Sequence, residues 1–274
     1  NSTIATLENG WSGANSTIAS LIATYSAVIL SDIVDVNYSP ICRGIAKELS
    51  QGLDNGDGNG TAADGQLHVD EIDTMYGGII CPNVSMVKDI RSGSGGSSPT
   101  YLTAIGNTLY FRATDGTNGN ELWKSDGTAS GTVMVKDINS GSTSSTPDQL
   151  TAVGSSLYFQ AYDPTNGREL WKSDGTASGT VMVKDIYSGS SSSSPTNLLA
   201  VGSTLYFRAT DGTNGIELWK SDGTASGTVM VKDINSGSGS SSPVYFTAVG
   251  TTLFFSADDG TNGIELWKSD GTAS

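Results

Sequence analysis

Short runs of alternating apolar and polar residues fill the last two thirds of the chain, a pattern typical of half-buried β-strands. In one of these runs, TLYFRATDG, Leu109, Phe111 and Ala113 lie on the same side. In another, NELWKSDGT, Leu122 lies on one face and Trp123 on the other. The first group of runs covers 101–106, 108–116, 120–128 and 132–138. Gly-Asn, Asp-Gly and Asn-Gly pairs separate the runs and favour tight hairpin turns, so the group predicts four antiparallel strands.

The same group recurs with a fixed period. The repeated tryptophans are spaced by 48 residues and are Trp123, Trp171, Trp219 and Trp267. Four short antiparallel strands in a period of this length are typical of a β-propeller blade. A Ser/Gly-rich link such as 139–147 separates consecutive groups. We therefore predict a mostly β fold, a four-bladed β-propeller of 48-residue, four-stranded blades spanning 84–274.

The two ends of this repeat region are offset. Residues 84–90, VSMVKDI, match 132–138 at a shift of 48 but follow no blade, whereas the last blade, 244–274, has three runs and no fourth. We expect 84–90 to be a strand that completes the last blade and closes the ring. In one alternative, 84–90 completes the blade of a neighbouring chain and builds a polymer. In another, the sequence is a trimmed piece of a longer array.

Composition and charge narrow the function classes. The chain of 274 residues has a net charge of −14 and a sequence pI of about 4.2, which argues against nucleic acid and anionic membranes as partners. Abundant Gly, Ser and Thr with only 15% charged residues fit a secreted β-rich protein. No apolar stretch is long enough for a membrane-spanning helix. No signal peptide precedes Asn1, so we expect the sequence to be that of the mature chain.

The segment 1–40 has its own pattern. Apolar residues at spacings of three or four favour a helix, and they are Ile18, Ile22, Tyr25, Ile29, Ile33 and Val36. A two-residue alternation through 19–29, rich in β-branched residues, favours a strand instead. We interpret 1–40 as an oligomerisation segment, a possible helix or a donated strand, that bundles with other subunits. The alternative is that it packs on its own chain.

Residues 41–83 form an acidic unit bracketed by Cys42 and Cys81. In an oxidising compartment these two cysteines would form a disulfide, and the alternative is two buried free thiols. Within this unit, DGQLHVDE at 64–71 is similar to the second half of an EF-hand loop. Calcium is the implied cofactor, with candidate ligands Asp57, Asn59, Asp64, Gln66 and Glu71. The alternative is a solvated acidic loop, in which His68 is an exposed residue.

Five glycosylation sequons lie before the repeats, which predicts N-linked glycans on this part of a secreted protein. They are Asn1, Asn15, Asn37, Asn59 and Asn83. Asn59 is also a candidate calcium ligand, and the two roles exclude each other. Glycans confined to 1–83 would decorate a stalk.

The repeats offer two kinds of candidate binding residue. The four tryptophans could form a sugar-stacking ring, but Trp beside Leu in every blade favours a role in the structural core. The aspartates of the DGTNG and SDGT motifs could bind calcium, although Asp-Gly pairs are common in turns without metal. These are Asp115, Asp211, Asp259, Asp126, Asp174, Asp222 and Asp270. Pro164 interrupts the first motif in blade two and weakens a metal role shared by all blades. The repeats contain no histidine for a nucleophilic triad and no zinc cluster, so we expect no enzyme activity.

The motif ELWKSDGT occurs four times and resembles the ELWxxDGT repeat of large secreted and surface proteins of bacteria and archaea. This resemblance implies a propeller-like fold and an extracellular location, and it implies no defined catalytic activity. The unit 41–83 resembles small Cys-bracketed acidic domains that occur beside stalks in microbial surface proteins. We therefore expect an extracellular structural protein, a subunit of a surface filament assembled through 1–40. The alternative is a surface adhesin or glycan-binding propeller module.

Overall fold

The computed structural model describes residues 84–272, and its strands all lie in the unit Met86–Ser274. Within the described residues, three sheets of four strands and one of three are formed. Sheet 1 comprises β1 (Thr100–Ile105), β2 (Thr108–Thr114), β3 (Asn120–Ser125) and β4 (Val133–Lys136). Sheet 2 comprises β5 (Asp148–Val153), β6 (Ser156–Asp163), β7 (Gly167–Ser173) and β8 (Val181–Lys184). Sheet 3 comprises β9 (Thr196–Val201), β10 (Thr204–Thr210), β11 (Ile216–Ser221) and β12 (Val229–Lys232), and sheet 4 comprises β13 (Val244–Val249), β14 (Thr252–Asp258) and β15 (Ile264–Ser269).

Each sheet is a meander in which consecutive strands pair antiparallel. The register in sheet 1 places Phe111 opposite Trp123 and Leu109 opposite Ser125, so the apolar face predicted from the alternation is continuous across two strands. The second and third strands of the other sheets pair in the same register. The predicted mostly β fold with four antiparallel sheets is confirmed.

The first strand of every sheet contains an irregularity. Between Thr100 and Thr103 the register of β1 against β2 shifts, and Tyr101 has a φ of 56°. The equivalent residues of the other three sheets, Gln149, Asn197 and Tyr245, have φ values of 57°, 56° and 57°. A β-bulge of this kind bends the strand and increases its twist. All four sheets therefore share a bent first strand, and the four first strands are neighbours in chain order.

The core lies between successive sheets rather than within one. One cluster joins Tyr110, Leu122 and Val135 of sheet 1 to Phe159 and Trp171 of sheet 2. Equivalent clusters join sheet 2 to sheet 3 and sheet 3 to sheet 4. Each of sheets 1, 2 and 3 thus buries one face, carried by the tyrosine and leucine, against the Phe/Trp face of the next sheet.

The predicted strand at 84–90 is absent, and no strand pairs with the free side of β15 within the described residues. This part of the prediction is wrong. A β-strand requires a ladder of backbone hydrogen bonds to a neighbouring strand, and 84–90 forms no such ladder with the described residues. Residues 88–90 instead lie against sheet 1, where Ile90 packs near Phe111 and Trp123. The Lys88 ammonium donates to the Thr132 carbonyl oxygen at 2.7 Å. Lys136 of β4 donates to Thr180 of sheet 2 in the same way, at 2.8 Å.

Several predictions fall on residues that the structure does not describe. The helix or strand of 1–40 and the acidic unit 41–83 lie outside the described range. So do the Cys42–Cys81 disulfide, the calcium ligands between Asp57 and Glu71, and the five sequons. Within residues 84–272, no helix has the length and apolar character needed to cross a bilayer.

Candidate functional site

A buried glutamate in the third strand organises the end of each of sheets 1 to 3. The Glu121 carboxylate accepts hydrogen bonds from the Ile138 N–H at 3.0 Å and the Ser145 N–H at 2.7 Å. The Ser145 hydroxyl donates to the same carboxylate at 2.5 Å. Glu169 makes the same contacts with Ile186 and Ser193, and Glu217 makes them with Ile234 and Ser241. We call this arrangement the glutamate clamp.

Each clamp fastens the Ser/Gly-rich link and connects two sheets. Ser145 donates to Glu121 of sheet 1, and its carbonyl oxygen accepts from the Tyr162 N–H of sheet 2 at 2.8 Å. Ser193 and Ser241 bridge the following pairs of sheets in the same manner. The link is therefore held at a defined point despite its flexible composition. Sequence reasoning missed this role, although a glutamate between apolar neighbours in every ELW motif was a visible signal.

Burial dominates the ionisation of these carboxyl groups. Desolvation raises the pKa of Glu121 and of Glu169 to about 7, against the opposing effect of their serine and backbone donors. The pKa of Glu217 is raised for the same reason. The fourth member, Glu265 of sheet 4, is exposed and has no hydrogen-bond donor among residues 84–272. The fourth clamp is thus open.

The repeated aspartates serve the turns. In the DGTNG turn, Asp115 accepts from the N–H groups of Thr117 and Asn118, both at 2.8 Å. In the SDGT turn, Asp126 accepts from the Thr128 N–H at 2.9 Å and from its hydroxyl at 2.7 Å. The pKa of Asp126 is lowered by these hydrogen bonds, the backbone one first. The carboxylate oxygens of both aspartates stabilise the backbone of their turns. The repeated Asp-Gly motifs therefore have a structural role that requires no metal.

The remaining predicted aspartates repeat this pattern. Asp211 and Asp259 hold their DGTNG turns, and Asp174, Asp222 and Asp270 hold their SDGT turns. In sheet 2, Asp163 is the equivalent of Asp115 and likewise accepts from the Thr165 and Asn166 N–H groups, although Pro164 replaces the glycine of the motif. Among residues 84–272, no three His, Cys, Asp or Glu side chains are grouped so that they could hold a metal ion.

The four tryptophans lie in the packing between sheets. Trp123, Trp171 and Trp219 are 6–7% exposed, and Trp267 is half-buried. Trp171 and Trp219 contribute to the clusters that join their own sheet to the preceding one. A cation from the preceding sheet, the Lys136 ammonium, lies 5.9 Å from the centre of the Trp171 ring. The indole faces of Trp123, Trp171 and Trp219 are therefore covered by protein and offer no open stacking surface.

Polar contacts to the SDGT turn reinforce each interface between sheets. The Lys124 ammonium of sheet 1 donates to the Gly175 carbonyl oxygen of sheet 2 at 2.9 Å. Lys172 and Lys220 make the same contact with the next sheet, at 2.8 and 2.7 Å. The tyrosine hydroxyl of the same face, as in Tyr110, lies against this glycine. A lysine and a tyrosine of one sheet thus contact the SDGT turn of the next sheet.

Sheet 4 carries an uncovered version of this interface. Leu266 is 77% exposed, whereas its equivalents Leu122, Leu170 and Leu218 are 0–1% exposed. Val249 is 63% exposed, and Phe254, which stands where the other sheets have tyrosine, is half-buried. Lys268, the equivalent of Lys124, has no acceptor among residues 84–272. We call Val249, Phe254, Leu266 and the free edge of β15 the terminal face.

Comparisons with known proteins leave the family open. No family model matches the chain, and no curated protein matches it. Solved structures with a weak likeness to this chain include three that cover 60–64% of it. A computationally designed Ika8 protein is 18% identical over 64% of this chain and 47% of its own, with a TM-score of 0.37. The Bacteroides ovatus GH43B protein of the xyloglucan PUL is 15% identical over 64% and 39%, with a TM-score of 0.35.

A structure from a study of two prolyl endopeptidases is 14% identical over 60% of this chain and 25% of its own, with a TM-score of 0.34. This chain spans less than half the length of each of the three proteins. At these scores the likeness carries no argument about activity or ligand. The repeated sheets, the glutamate clamps and the terminal face are the features from which a function can be inferred.

Proposed function

We propose that this chain is an extracellular structural protein, a non-enzymatic subunit of a surface filament that self-assembles through residues 1–40. The four sheets act as propeller-type blades that form a modular scaffold. One observation carries the proposal: the repeated carboxylates, lysines and tryptophans of residues 84–272 are used to hold turns, links and neighbouring sheets together. The same contacts occur at each of three interfaces, as expected of a scaffold rather than of an active site.

The experiment is negative-stain electron microscopy of the full chain and of a chain lacking residues 1–40. We expect long regular fibres from the full chain and single particles from the truncated one. Circular dichroism melts of both chains control for folding, because the truncated chain must keep the β-sheet transition. Compact single particles in both samples contradict the proposal.

A second candidate function is glycan binding, as in a surface adhesin. It is favoured by two exposed aromatic residues on the bent first strands, Tyr101 at 43% and Tyr245 at 83% exposure. An exposed aromatic ring can stack on a sugar. The Arg112 guanidinium lies over one face of the Tyr101 ring, 4.8 Å from its centre, so a sugar would need the opposite face of that ring. A glycan array with the full chain and with Tyr101→Ala and Tyr245→Ala tests it. Binding that both substitutions abolish favours the adhesin, and no binding excludes it.

A further inference from the structure

We propose that the terminal face binds the beginning of the repeat region of a second copy of this chain, head to tail. In this contact the segment 84–90 of the second copy becomes the fourth strand beside β15. The inference deepens the proposed function and rests on it: residues 1–40 bring the copies together, and the head-to-tail contact is a second, weaker contact that forms between chains already assembled in this way. Both halves of the contact are present in the structure.

The first half is the segment 84–90, whose residues Lys88 and Ile90 contact sheet 1 in the way that the end of each fourth strand contacts the next sheet. Lys88 contacts Thr132 as Lys136 contacts Thr180 and as Lys184 contacts Thr228. Ile90 packs on Phe111 and Trp123, where Ile186 packs on the equivalent residues of sheet 3. The segment therefore occupies the place of a strand from a preceding sheet that this chain does not contain among its described residues.

The second half is the terminal face, where Glu265 and Lys268 lack, within the described part of the chain, the partners that their equivalents have in sheets 1 to 3. In sheets 1 to 3 the clamp glutamate accepts from residues 17 and 24 positions later, an isoleucine and a serine. For Glu265 the corresponding residues of a second copy are Ile90 and Ser97. Ser97 already makes the other half of the bridge, because its carbonyl oxygen accepts from the Thr114 N–H at 3.1 Å.

The register of the intermolecular pair follows from the internal ones. Lys124, Lys172 and Lys220 each pair with the valine at the start of the fourth strand. A shift by the repeat length places Ser85 of the second copy opposite Lys268, and Met86 opposite Trp267. Met86 is 77% exposed and Leu266 is 77% exposed, and both would be covered. Phe254 replaces the tyrosine of the other sheets, so the contact lacks one hydroxyl.

The test is a disulfide cross-link between Ser85→Cys and Lys268→Cys in the full chain. Isotopically light and heavy chains carrying both substitutions are mixed and oxidised, and mass spectrometry identifies the linked peptides. We expect a peptide pair that is joined through positions 85 and 268 and carries mixed labels, which requires two copies. If every linked peptide pair carries a single label, the link has formed within one chain. That result indicates ring closure and overturns the proposal. The absence of the linked peptide overturns it as well.

Matched variants control for accidental collisions and for folding. Ser92→Cys with Lys268→Cys is out of register and should remain unlinked, whereas Lys220→Cys with Val229→Cys should link within one chain. Leu266→Asp buries an unpaired charge in the contact and should lower the mixed-label yield more than about tenfold. Val229→Asp adds the same charge at an exposed position of β12 and should leave the yield unchanged. An equal loss in both aspartate variants contradicts the proposed contact.

The two proposals can fail separately. Fibres that persist in Leu266→Asp without any 85–268 link leave the filament function standing and exclude the head-to-tail contact. A mixed-label link in a sample that forms no fibres supports the contact and excludes the filament.

Discussion

Glu121, Glu169 and Glu217 show how a single residue type joins local structure to the assembly of sheets. Each carboxylate replaces the water around it with donors from the following link, and each loses solvation in doing so. The ordinary pKa of a glutamate is 4.5. Because folding raises the pKa of these three groups, the folded chain still binds protons above pH 4.5, where the unfolded chain has released them. The associated stability is fully present below pH 4.5 and is lost as the pH rises through about 7.

We therefore expect the melting temperature to fall between pH 5 and pH 8 and to level off above. The aspartates of the turns act in the opposite direction, because their pKa values are lowered from 3.8. Their contribution is present above that value and is lost as the pH falls below it, so stability should also decline in stronger acid. Circular dichroism melts between pH 3 and pH 9 measure both limbs. A flat profile from pH 5 to pH 8 would show that the clamps do not titrate in that range.

Replacing a clamp glutamate by glutamine tests the same residues directly. Glu169→Gln puts an amide NH₂ group where two donors already point, and leaving a buried donor unpaired costs about 1–3 kcal/mol. We expect a lower unfolding midpoint and a weaker pH dependence between pH 5 and pH 8. Glu265→Gln at the exposed equivalent position is the control and should not change either quantity in the monomer.

At the scale of strands and turns, the alternation and turn pairs predicted every strand from β1 to β15 within a few residues. The predicted run 132–138, for example, corresponds to Val133–Lys136. The same reasoning gave a strand at 84–90, because residue pattern reports the face a segment can bury and not whether a partner strand is present. The open clamp at Glu265 escaped prediction because it depends on which link follows the strand.

A prediction at this scale concerns the glycine of the Asn-Gly turn. A Cβ atom added to this glycine would meet the Ser/Gly-rich link in sheets 1 to 3 and open space in sheet 4. Gly215 and Gly263 have φ values of 69° and 75°, where any other residue costs about 1–2 kcal/mol. A Cβ at Gly215 would in addition collide with the Gly239 carbonyl oxygen, whereas at Gly263 nothing lies within 4 Å. We expect Gly215→Ala to lower the denaturant midpoint clearly more than Gly263→Ala. Equal shifts would show that the link does not press on the turn.

At the scale of the whole molecule, apolar clusters join each described sheet to the next one in chain order, and the same leucine position is buried in sheets 1 to 3 and exposed in sheet 4. Leu218→Ala leaves a cavity between sheets 3 and 4 and should cost about 2–5 kcal/mol. Leu266→Ala removes a side chain from the terminal face and should change the stability of the isolated chain by less than about 0.5 kcal/mol. Urea unfolding at low protein concentration compares the two. A comparable loss for both would mean that the terminal face is already covered.

The identity of the three interfaces between sheets also bears on how such a chain can change length over generations. Each interface draws its clamp, its lysine contact and its apolar cluster from residues at fixed offsets within one repeat. Recombination between two misaligned copies of the repeat would insert or delete a whole unit of 48 residues and recreate the same contacts at the new junction. The first and last sheets would be unaltered by such an event. Copy number can therefore vary without a compensating mutation, and the reach of the molecule becomes a trait that selection can adjust one repeat at a time.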